Sequence, residues 1–282
     1  MSLRITLRVK APPGFRVDAS ALLPVPLASM TTSAIERIVL PAGNDRCIVG
    51  DVFDVSRSEA AAGSEAPHAG PTLVIEHAAP WLDRVGAGMA GGQLRVHGSS
   101  GDYSGFQMTD GVLHIDGDAG HFTACEMRGG RLTVTGHSGD FAAGALAGDM
   151  EGMSGGTLTI HGNAGARLAD RMRRGLVLVG GNAGDFAASR LVAGTIGIAG
   201  QVGAHYAYGM RRGTLLLAQR PTQLPPTFTE GGRGFDVFWA LLVRSLAAEI
   251  APFSQWRTTN LPTRYAGDLA VDGRGELLIV SQ

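Results

Sequence analysis

The segment Met89-Ala-Gly-Gly-Gln-Leu-Arg-Val-His-Gly-Ser-Ser-Gly101 decides the fold, because its pattern recurs along the chain. In each copy, apolar residues lie two and four positions after an opening glycine, and a pair of glycines three residues apart follows. The opening glycines are Gly92, Gly111, Gly130, Gly156, Gly175, Gly194 and Gly213. Successive copies are 19 residues apart, except for one interval of 26 residues. The sequence therefore contains repeats of 19 residues and one seven-residue insertion, within residues 145–152.

Each repeat predicts a short strand followed by a sharp corner. Apolar, largely β-branched residues at alternate positions are typical of a strand with one buried face. Glycine pairs let the chain turn with positive φ, so each unit is predicted to form strand, corner, strand. Stacking such units predicts an all-β fold, a right-handed parallel β-helix of about seven 19-residue turns that lie roughly 4.8 Å apart. A left-handed helix of hexapeptides would need a period near 18.

Two side-chain columns follow from the repeat. Six of the nine methionines occupy the position that closes a unit, where soft side chains are expected to fill the core. They are Met89, Met108, Met127, Met153, Met172 and Met210. The other column lies two residues past the second glycine and holds Tyr103, Phe122, Phe141 and Phe186, interrupted by Arg167 and His205.

The two ends of a stack of strands need caps, because unpaired edges invite aggregation. We assign residues 1–75 to an N-terminal cap, 76–220 to the β-helix repeats and 221–282 to a C-terminal capping segment. Within the last, an apolar sequence predicts a helix over residues 236–250, capped by Asp236. The outward strand position changes from polar in early turns to Leu178, Gly197 and Leu216 in late ones. The helix is expected to cover these late turns; contact with a partner protein is the alternative.

Composition excludes several classes of protein. The net charge of the chain is −1, so it lacks the excess of positive charge with which proteins bind nucleic acid or anionic membranes. Neither is expected as a partner. Two cysteines form no metal-ligand spacing or disulfide framework, as is usual in a reducing compartment. No apolar run resembles a signal peptide or a membrane span, and we expect a soluble, cytoplasmic protein.

Candidate catalytic residues are better explained by folding. Asp102, Asp140 and Asp185 follow the second glycine in alternate turns, about 10 Å apart, where aspartate commonly binds backbone amides. His97 and His161 share a column but lie three turns apart, and they cannot share a metal ion. His114, His121 and His137 are in neighbouring turns with no metal-ligand spacing. We therefore expect no catalytic, cofactor-binding or metal-binding residue in this chain.

Candidate contact residues are charged or aromatic. Arginines follow the closing methionine in the third, fifth and seventh turns and place positive charge at intervals of about 10 Å. Arginine binds carboxylates bidentately, so these positions are candidates for contact with a partner or carrier, against the alternative of a solvated corner. The candidates are Arg128, Arg173, Arg174, Arg211 and Arg212, with Asp149 and Glu151 in the insertion and Trp239 in the C-terminal segment.

The repeat resembles a known family. Residues 91–102 (Gly-Gly-Gln-Leu-Arg-Val-His-Gly-Ser-Ser-Gly-Asp) and their copies are similar to the GXGXG β-helix shared by the C subunit of formylmethanofuran dehydrogenase and by the glutamate synthase C-terminal domain. The resemblance extends to residues 43–55 before the repeats and to 264–269 and 273–278 after them. A separate chain with both flanks favours the dehydrogenase family over a freestanding glutamate synthase domain.

The resemblance implies a scaffold role in a multi-subunit enzyme. In the formyltransferase/hydrolase complex of methylotrophic bacteria, a formyl group passes from formyl-tetrahydromethanopterin through a methanofuran-type carrier to formate. The resemblance implies that these cofactors and metal ions belong to three partner chains, namely the metal-dependent hydrolase (A), the B chain of the complex and the formyltransferase (D). The molybdenum or tungsten formylmethanofuran dehydrogenase is the alternative; a bias toward Arg and Ala favours the bacterial complex. An independent glycan-cleaving or formyl-transferring enzyme is the remaining hypothesis.

Overall fold

The computed structural model describes residues 3–59, 70–232 and 234–280. It is rich in strands and has few helices. The strands are β1 (Leu3–Val9), β2 (Val17–Asp18), β3 (Val39–Ala42), β4 (Asp45–Ile48), β5 (Phe53–Glu59), β6 (Thr72–Ala78), β7 (Leu82–Asp83), β8 (Ala90–Gly98), β9 (Asp110–Ile115), β10 (Arg131–Val134), β11 (Thr157–Ile160), β12 (Leu176–Val179), β13 (Thr195–Ile198), β14 (Thr214–Leu217), β15 (Thr229–Glu230), β16 (Thr263–Gly267) and β17 (Gly275–Ile279). The helices are α1 (Pro24–Ala28), α2 (Thr32–Glu36), α3 (Val49–Val52) and α4 (Asp236–Leu246), with 3₁₀ turns at Phe253–Gln255 and Leu269–Val271.

One 13-stranded sheet organises the chain, in the order β5-β1-β6-β8-β9-β10-β11-β12-β13-β14-β17-β16-β15. Strands β8 to β14 are the predicted repeat strands, and each is parallel to its neighbours. The register keeps equivalent residues opposite one another, as in the pair Leu132 and Leu158 across the insertion. The period of 19 residues therefore survives the seven-residue insertion.

The sheet is mixed, whereas the sequence predicted only parallel strands. At one end β5 lies antiparallel to β1, and at the other β16 is antiparallel to β17 and β15 to β16. The parallel ladder also extends beyond the repeats, because β1 and β6 precede it and β17 follows β14. These antiparallel strands occupy the two ends of the parallel ladder, where the hydrogen-bonding groups of an edge strand would otherwise stay unpaired.

The second strand predicted in each unit is reduced to one bridging residue in the described part of the repeats. These residues form the parallel series Ala119, Ser138, Ala164, Ala183 and Val202. After it, alternate residues such as Phe122, Ala124 and Glu126 have positive φ, which prevents an extended strand. Hydrogen bonds between turns, such as Phe122 N to Asp140 O at 2.8 Å, satisfy this backbone instead.

The main core lies between the strands and these irregular segments. The predicted methionine column is confirmed, because all six side chains have no exposed surface. The methionines also explain the opening glycines. At Gly130, φ is +81° and a Cβ atom would lie 2.7 Å from Cε of Met108, so a larger residue would be both strained and crowded.

A second, smaller core confirms that the C-terminal segment covers the late turns. Leu178, Leu216 and Leu278 point outward from the sheet and are fully buried. They pack with Trp239, Val243, Leu246 and Phe253 of the C-terminal segment. The late outward positions are thus apolar because the chain itself covers them.

Helix α4 is shorter than the predicted helix 236–250. It ends at Leu246, and residues 247–250 form turns before Pro252, which disfavours a helical conformation at the preceding residue. Asp236 is the first helical residue and not the cap; Phe235 holds the cap position without a side-chain hydrogen bond. The first predicted segment boundary, at residue 75, falls inside β6.

Candidate functional site

The arginine column is exposed along one edge of the repeats. Arg128, Arg173 and Arg211 occupy one register, since their amides donate to Met108 O, Met153 O and Leu191 O at 2.8 Å each. Ser154 and Val192 stand between them, so the arginines are two turns, roughly 10 Å, apart. Arg174 and Arg212 follow in sequence and are also exposed.

The insertion lies beside part of this column. Glu151 forms an ion pair with Arg173, and the Arg171 guanidinium donates to the carbonyl of Asp149. A shallow pocket of about 300 Å³ holds Arg128, Asp149 and Glu151 in its lining. Four of the predicted contact residues, Arg128, Arg173, Asp149 and Glu151, therefore share one surface. The charge of this surface is mixed, because Asp149 and Glu151 lie beside the arginines. Arg211 and Arg212 follow two turns later in the column and do not line this pocket.

Trp239 was predicted to be a contact residue, but the structure places it inside the chain. Its side chain has no exposed surface, and its indole Nε1 donates to Arg257 O at 3.2 Å. The Trp256 ring lies 5.7 Å away, centroid to centroid. Trp239 belongs to the second core because helix α4 turns this side toward the sheet.

The other side of helix α4 includes three exposed apolar side chains. Val237, Phe238 and Leu241 are 75 %, 40 % and 60 % exposed. Leu241 is four residues after Val237 and three after Phe238, so the helix brings it beside both. We call these three residues the α4 patch. The sequence predicted an apolar helix, but only the packing of the helix shows which residues remain outside.

The aspartate column binds backbone amides, as predicted. Asp102 Oδ1 accepts from His121 N at 2.9 Å, Asp140 Oδ1 from Ala166 N at 2.8 Å, and Asp185 Oδ1 from Ala204 N at 2.7 Å. In each case the side chain binds the amide at the equivalent position of the next turn. These carboxylates therefore join consecutive turns.

A second ladder of this kind runs through polar residues that the sequence did not reveal as a set. Asp118 Oδ1 accepts from His137 N, His137 Nδ1 from Asn163 N, and Asn163 Oδ1 from Asn182 N, at 2.7 to 2.8 Å. Because Nδ1 of His137 accepts a backbone hydrogen bond, it carries no proton in this arrangement. This use of the ring is structural.

We expect His137→Ala to destabilise the folded chain by about 0.5–1 kcal/mol, since it removes one hydrogen bond acceptor between turns. His137→Asn should cost less, because asparagine makes the equivalent bond at positions 163 and 182. Urea denaturation of both variants tests this. Equal destabilisation by the two substitutions would contradict the ladder interpretation.

Two histidines of the early strands share one acidic partner. Asp116 lies between His97 Nδ1 at 2.5 Å and His114 Nε2 at 2.9 Å, on the exposed face of the early strands. Within residues 3–59, 70–232 and 234–280, no group of three or more His, Cys, Asp or Glu side chains is arranged to hold a metal ion. Burial raises the pKa of the Cys125 thiol to about 12, so this thiol stays protonated near neutral pH.

The aromatic column is continuous, although the sequence showed interruptions. Ring centroids of Tyr103, Phe122 and Phe141 are 4.8 and 5.0 Å apart. Arg167 then lies over both Phe141 and Phe186, at 5.7 and 4.8 Å. At the far end the His205 ring stacks on Phe186 at 4.9 Å. Arginine and histidine continue the column because planar cations and rings stack on aromatic faces.

Two ion pairs fix long-range contacts that sequence reasoning missed. Arg131 donates to both oxygens of Glu249 at 2.9 and 3.0 Å, which joins β10 to the C-terminal segment. The Glu249 carboxylate raises the pKa of Arg131 through this hydrogen bond. The buried Asp170 carboxylate binds the Arg190 guanidinium and accepts from Ser189 Oγ at 2.6 Å. Neither pair has a local sequence signal, because the partners meet only in the folded chain.

A pocket of about 610 Å³ lies at the C-terminal end of the repeats. One wall is the last irregular segment, residues 202–208, and the other is residues 221–227. The Tyr206 hydroxyl joins the walls, since it donates to Gln223 O at 2.8 Å, and burial raises the pKa of Tyr206. The buried Asp268 carboxylate lies at one end and accepts from Gly209 N and Ala270 N, both at 2.9 Å. Hydrogen bonds from Thr227 and these amides lower the pKa of Asp268 against the opposing effect of desolvation.

None of the helices in the described residues has the length and hydropathy needed to cross a membrane.

Comparisons with known proteins identify relatives of the chain. A family model for the GXGXG motif matches residues 84–229. The C subunit of the formyltransferase/hydrolase complex Fhc from Methylorubrum extorquens is 40 % identical over 96 residues, which are 34 % of this chain and 32 % of that protein. A chain in the crystal structure of the formyltransferase/hydrolase complex FhcABCD from the same organism, in complex with methylofuran, is 38 % identical. The match covers 98 % of this chain and 100 % of that chain, with a TM-score of 0.86.

Proposed function

Because the chain belongs to the GXGXG family and is a relative of the C subunit of the formyltransferase/hydrolase complex, we propose that it is the non-catalytic scaffold of such a complex. The complex transfers a formyl group from formyl-tetrahydromethanopterin through a methanofuran-type carrier and releases formate. This chain holds the hydrolase, the formyltransferase and the remaining subunit together in the cytoplasm. The full-length match to a chain of FhcABCD favours this complex over the dehydrogenase and glutamate synthase alternatives.

The architecture proposed for this role is a right-handed parallel β-helix with a cap at each end. Support comes from two sets of parallel contacts at a 19-residue period, the ladder of β8 to β14 and the bridging residues opposite it. The division into residues 1–75, 76–220 and 221–282 is part of this proposal, although β6 crosses the first boundary. A stack of closely bonded turns is stiff, which suits a platform for other subunits.

The chemistry of the polar columns supports a scaffold over an independent enzyme. Their carboxylates, amides and imidazoles accept hydrogen bonds from backbone amides of the next turn. A general acid or base must reach a substrate proton, and these acceptor atoms are engaged within the fold. Formyl-transferring and metal-dependent steps belong to the partner subunits, together with the carrier, tetrahydromethanopterin and metal ions.

The observation that carries the scaffold role is the exposed α4 patch. Exposed apolar side chains clustered on a helix whose other side is packed to the protein are typical of a protein interface. More than half of the surface of Val237 and of Leu241 is exposed, although the other face of helix α4 packs against the sheet. Burial of this apolar surface against a partner would be favourable, because it releases the water that contacts it.

Leu241→Asp should therefore weaken assembly without loosening the fold. We expect at least a tenfold increase in Kd for the adjoining subunit, because a buried charge would replace an apolar contact. Val39→Asp is the matched control, since Val39 is 52 % exposed on the N-terminal hairpin β3–β4. Analytical ultracentrifugation of the reconstituted complex measures the effect. Assembly of Leu241→Asp with unchanged affinity would remove the α4 patch from the interface.

The arginine column is proposed to contact acidic groups of a partner subunit or of the carrier. Arg211→Ala with Arg212→Ala should reduce affinity for the acidic group about tenfold at low salt, and the difference should shrink at high salt. The matched control is Arg220→Ala, because Arg220 is exposed but lies outside the column. Titrations of carrier and of partner subunits at two ionic strengths test this. An equal effect of Arg220→Ala would indicate general electrostatics and not a site.

A further inference from the structure

The last turn of the repeats has an open backbone edge. In earlier turns, each amide of the aromatic column donates to a carbonyl of the following turn, as Phe186 N does to Ala204 O at 2.8 Å. The equivalent amide of the last turn, His205 N, donates to no group of the described chain. Likewise Ala183 N donates to Gln201 O at 3.0 Å, whereas Val202 N has no acceptor among the described residues.

The carbonyls show the same interruption. Ala187 O accepts from Ala207 N at 2.8 Å, and Ala183 O accepts from Gly203 N at 2.9 Å. One turn later, the carbonyls of Tyr206 and Val202 accept no bond from the described residues. The edge therefore offers two amides and two carbonyls in the register of a further turn.

Elsewhere the chain itself provides that further turn. β17 pairs with β14 along the strand, and Arg274 N donates to Arg211 O at 2.7 Å at the corner. At Gly209 the Asp268 carboxylate replaces the missing carbonyl, at 2.9 Å. Among the described residues, the segment 202–208 pairs with the preceding turn but has no backbone partner on its other side, where a further turn would lie. This segment is one wall of the 610 Å³ pocket.

The opposite wall does not supply the missing bonds. Residues 221–227 include Pro221, Pro225 and Pro226, which have no amide hydrogen. This segment is held away from the edge by the bond from Tyr206 to Gln223 O. Leu224, which would follow His205 at the 19-residue period, packs against the main core instead.

We propose that this pocket binds a peptide segment of a partner subunit, which forms the missing turn against residues 202–208. Main-chain groups of the segment pair with the open amides and carbonyls, as in strand addition at an exposed edge. The segment presents an aromatic or arginine side chain to His205, because such a side chain occupies this column in the preceding turns. Tyr208, which is 62 % exposed, lines the same pocket and offers an aromatic surface beside His205.

The identity of the peptide's source rests on the proposed scaffold function, whereas the open edge does not. Hydrogen exchange at single amides separates the two. In the isolated full chain, Val202 and His205 amides are expected to exchange without protection, while the Phe186 amide is protected. In the complete complex, protection of the Val202 and His205 amides should rise at least 100-fold, and Phe186 serves as the internal control.

A photo-crosslinking residue at Thr222, in the opposite wall, identifies the occupant within the purified complex. The proposal expects a crosslink to one continuous segment of a partner subunit. Ala204→Trp, which fills the pocket, should raise the Kd for that partner at least tenfold, and Ala11→Trp, an exposed alanine outside the pocket, should not.

Each outcome bears on the proposal. If the Val202 and His205 amides stay unprotected in an intact complex, the peptide proposal is overturned and the scaffold function still stands. Protection of these amides without a peptide crosslink also overturns the peptide proposal, because it would indicate that a small molecule fills the pocket. If no complex forms with any subunit, the scaffold function fails as well. Should Ala204→Trp prevent folding, the exchange and crosslinking measurements on the otherwise unchanged pocket still decide.

Discussion

Gly197→Val is expected to detach the C-terminal cover from the sheet and to lower the free energy of unfolding of that region by about 2–3 kcal/mol. Gly197 lies outward on β13, and a Cβ atom there would be 2.7 Å from Cε1 of Phe253 and 2.8 Å from Cδ2 of Leu178. Its φ is not positive, so the effect comes from crowding and not from backbone strain. Both neighbours are fully buried and cannot move into solvent without opening the second core.

Fluorescence of Trp239 and Trp256 during urea denaturation measures this effect, because both rings lie in the cover. Thr133→Val is the control, since Thr133 occupies the same outward position on β10 and is only half-buried. It should change stability by less than about 0.5 kcal/mol. Gly197→Val combined with Phe253→Ala should cost less than the sum of the two single losses, because both changes affect the same contact. If the C-terminal cover of Gly197→Val unfolds at the same urea concentration as that of the unsubstituted chain, the packing of Phe253 against Gly197 is contradicted.

Trp239→Ala is expected to have a still larger effect, about 3–5 kcal/mol, because it removes the largest fully buried side chain of the second core. The loss should remain local. Turns of a repeat stack contact mainly their neighbours, so strands β8 to β11 should keep their protection against hydrogen exchange while helix α4 and β17 lose it.

The adjacent residue provides the control. Phe238→Ala changes an aromatic side chain that is 40 % exposed in the α4 patch, and it should alter stability by less than about 1 kcal/mol. Exchange measured by mass spectrometry, together with urea denaturation, distinguishes the two variants. Similar losses for Trp239→Ala and Phe238→Ala would mean that helix α4 is not oriented as described.

Much of the architecture could be predicted because the repeat makes many weak signals coincide. One alternating pair such as Leu94 and Val96 is compatible with many strands, but seven copies at one spacing require one register. The methionine column and the covered late turns followed from the same register. The shape of the second half of each turn did not follow, because positive φ at Phe122 or Ala124 contradicts the ordinary preference of these residues.

The candidate contact residues were predicted less well, for a physical reason. Exposure depends on which elements pack together, and Trp239 and Phe238 are neighbours of similar chemistry with opposite environments. The mixed charge beside Arg173 likewise depends on where the insertion places Glu151. The open edge at His205 could not be foreseen, because it arises where a later segment fails to complete the stack.

By itself, the sequence determined the 19-residue period, the parallel repeat strands, the methionine core and the family resemblance. These are local and repeated properties, so each copy supports the interpretation of the others. Only the tertiary structure decided which strands form the ends of the sheet and which side of helix α4 is buried. It also decided that Glu249 pairs with Arg131 and that the backbone edge at residues 202–208 remains open. Those features depend on single contacts between distant parts of the chain, for which the sequence contains no repeated signal.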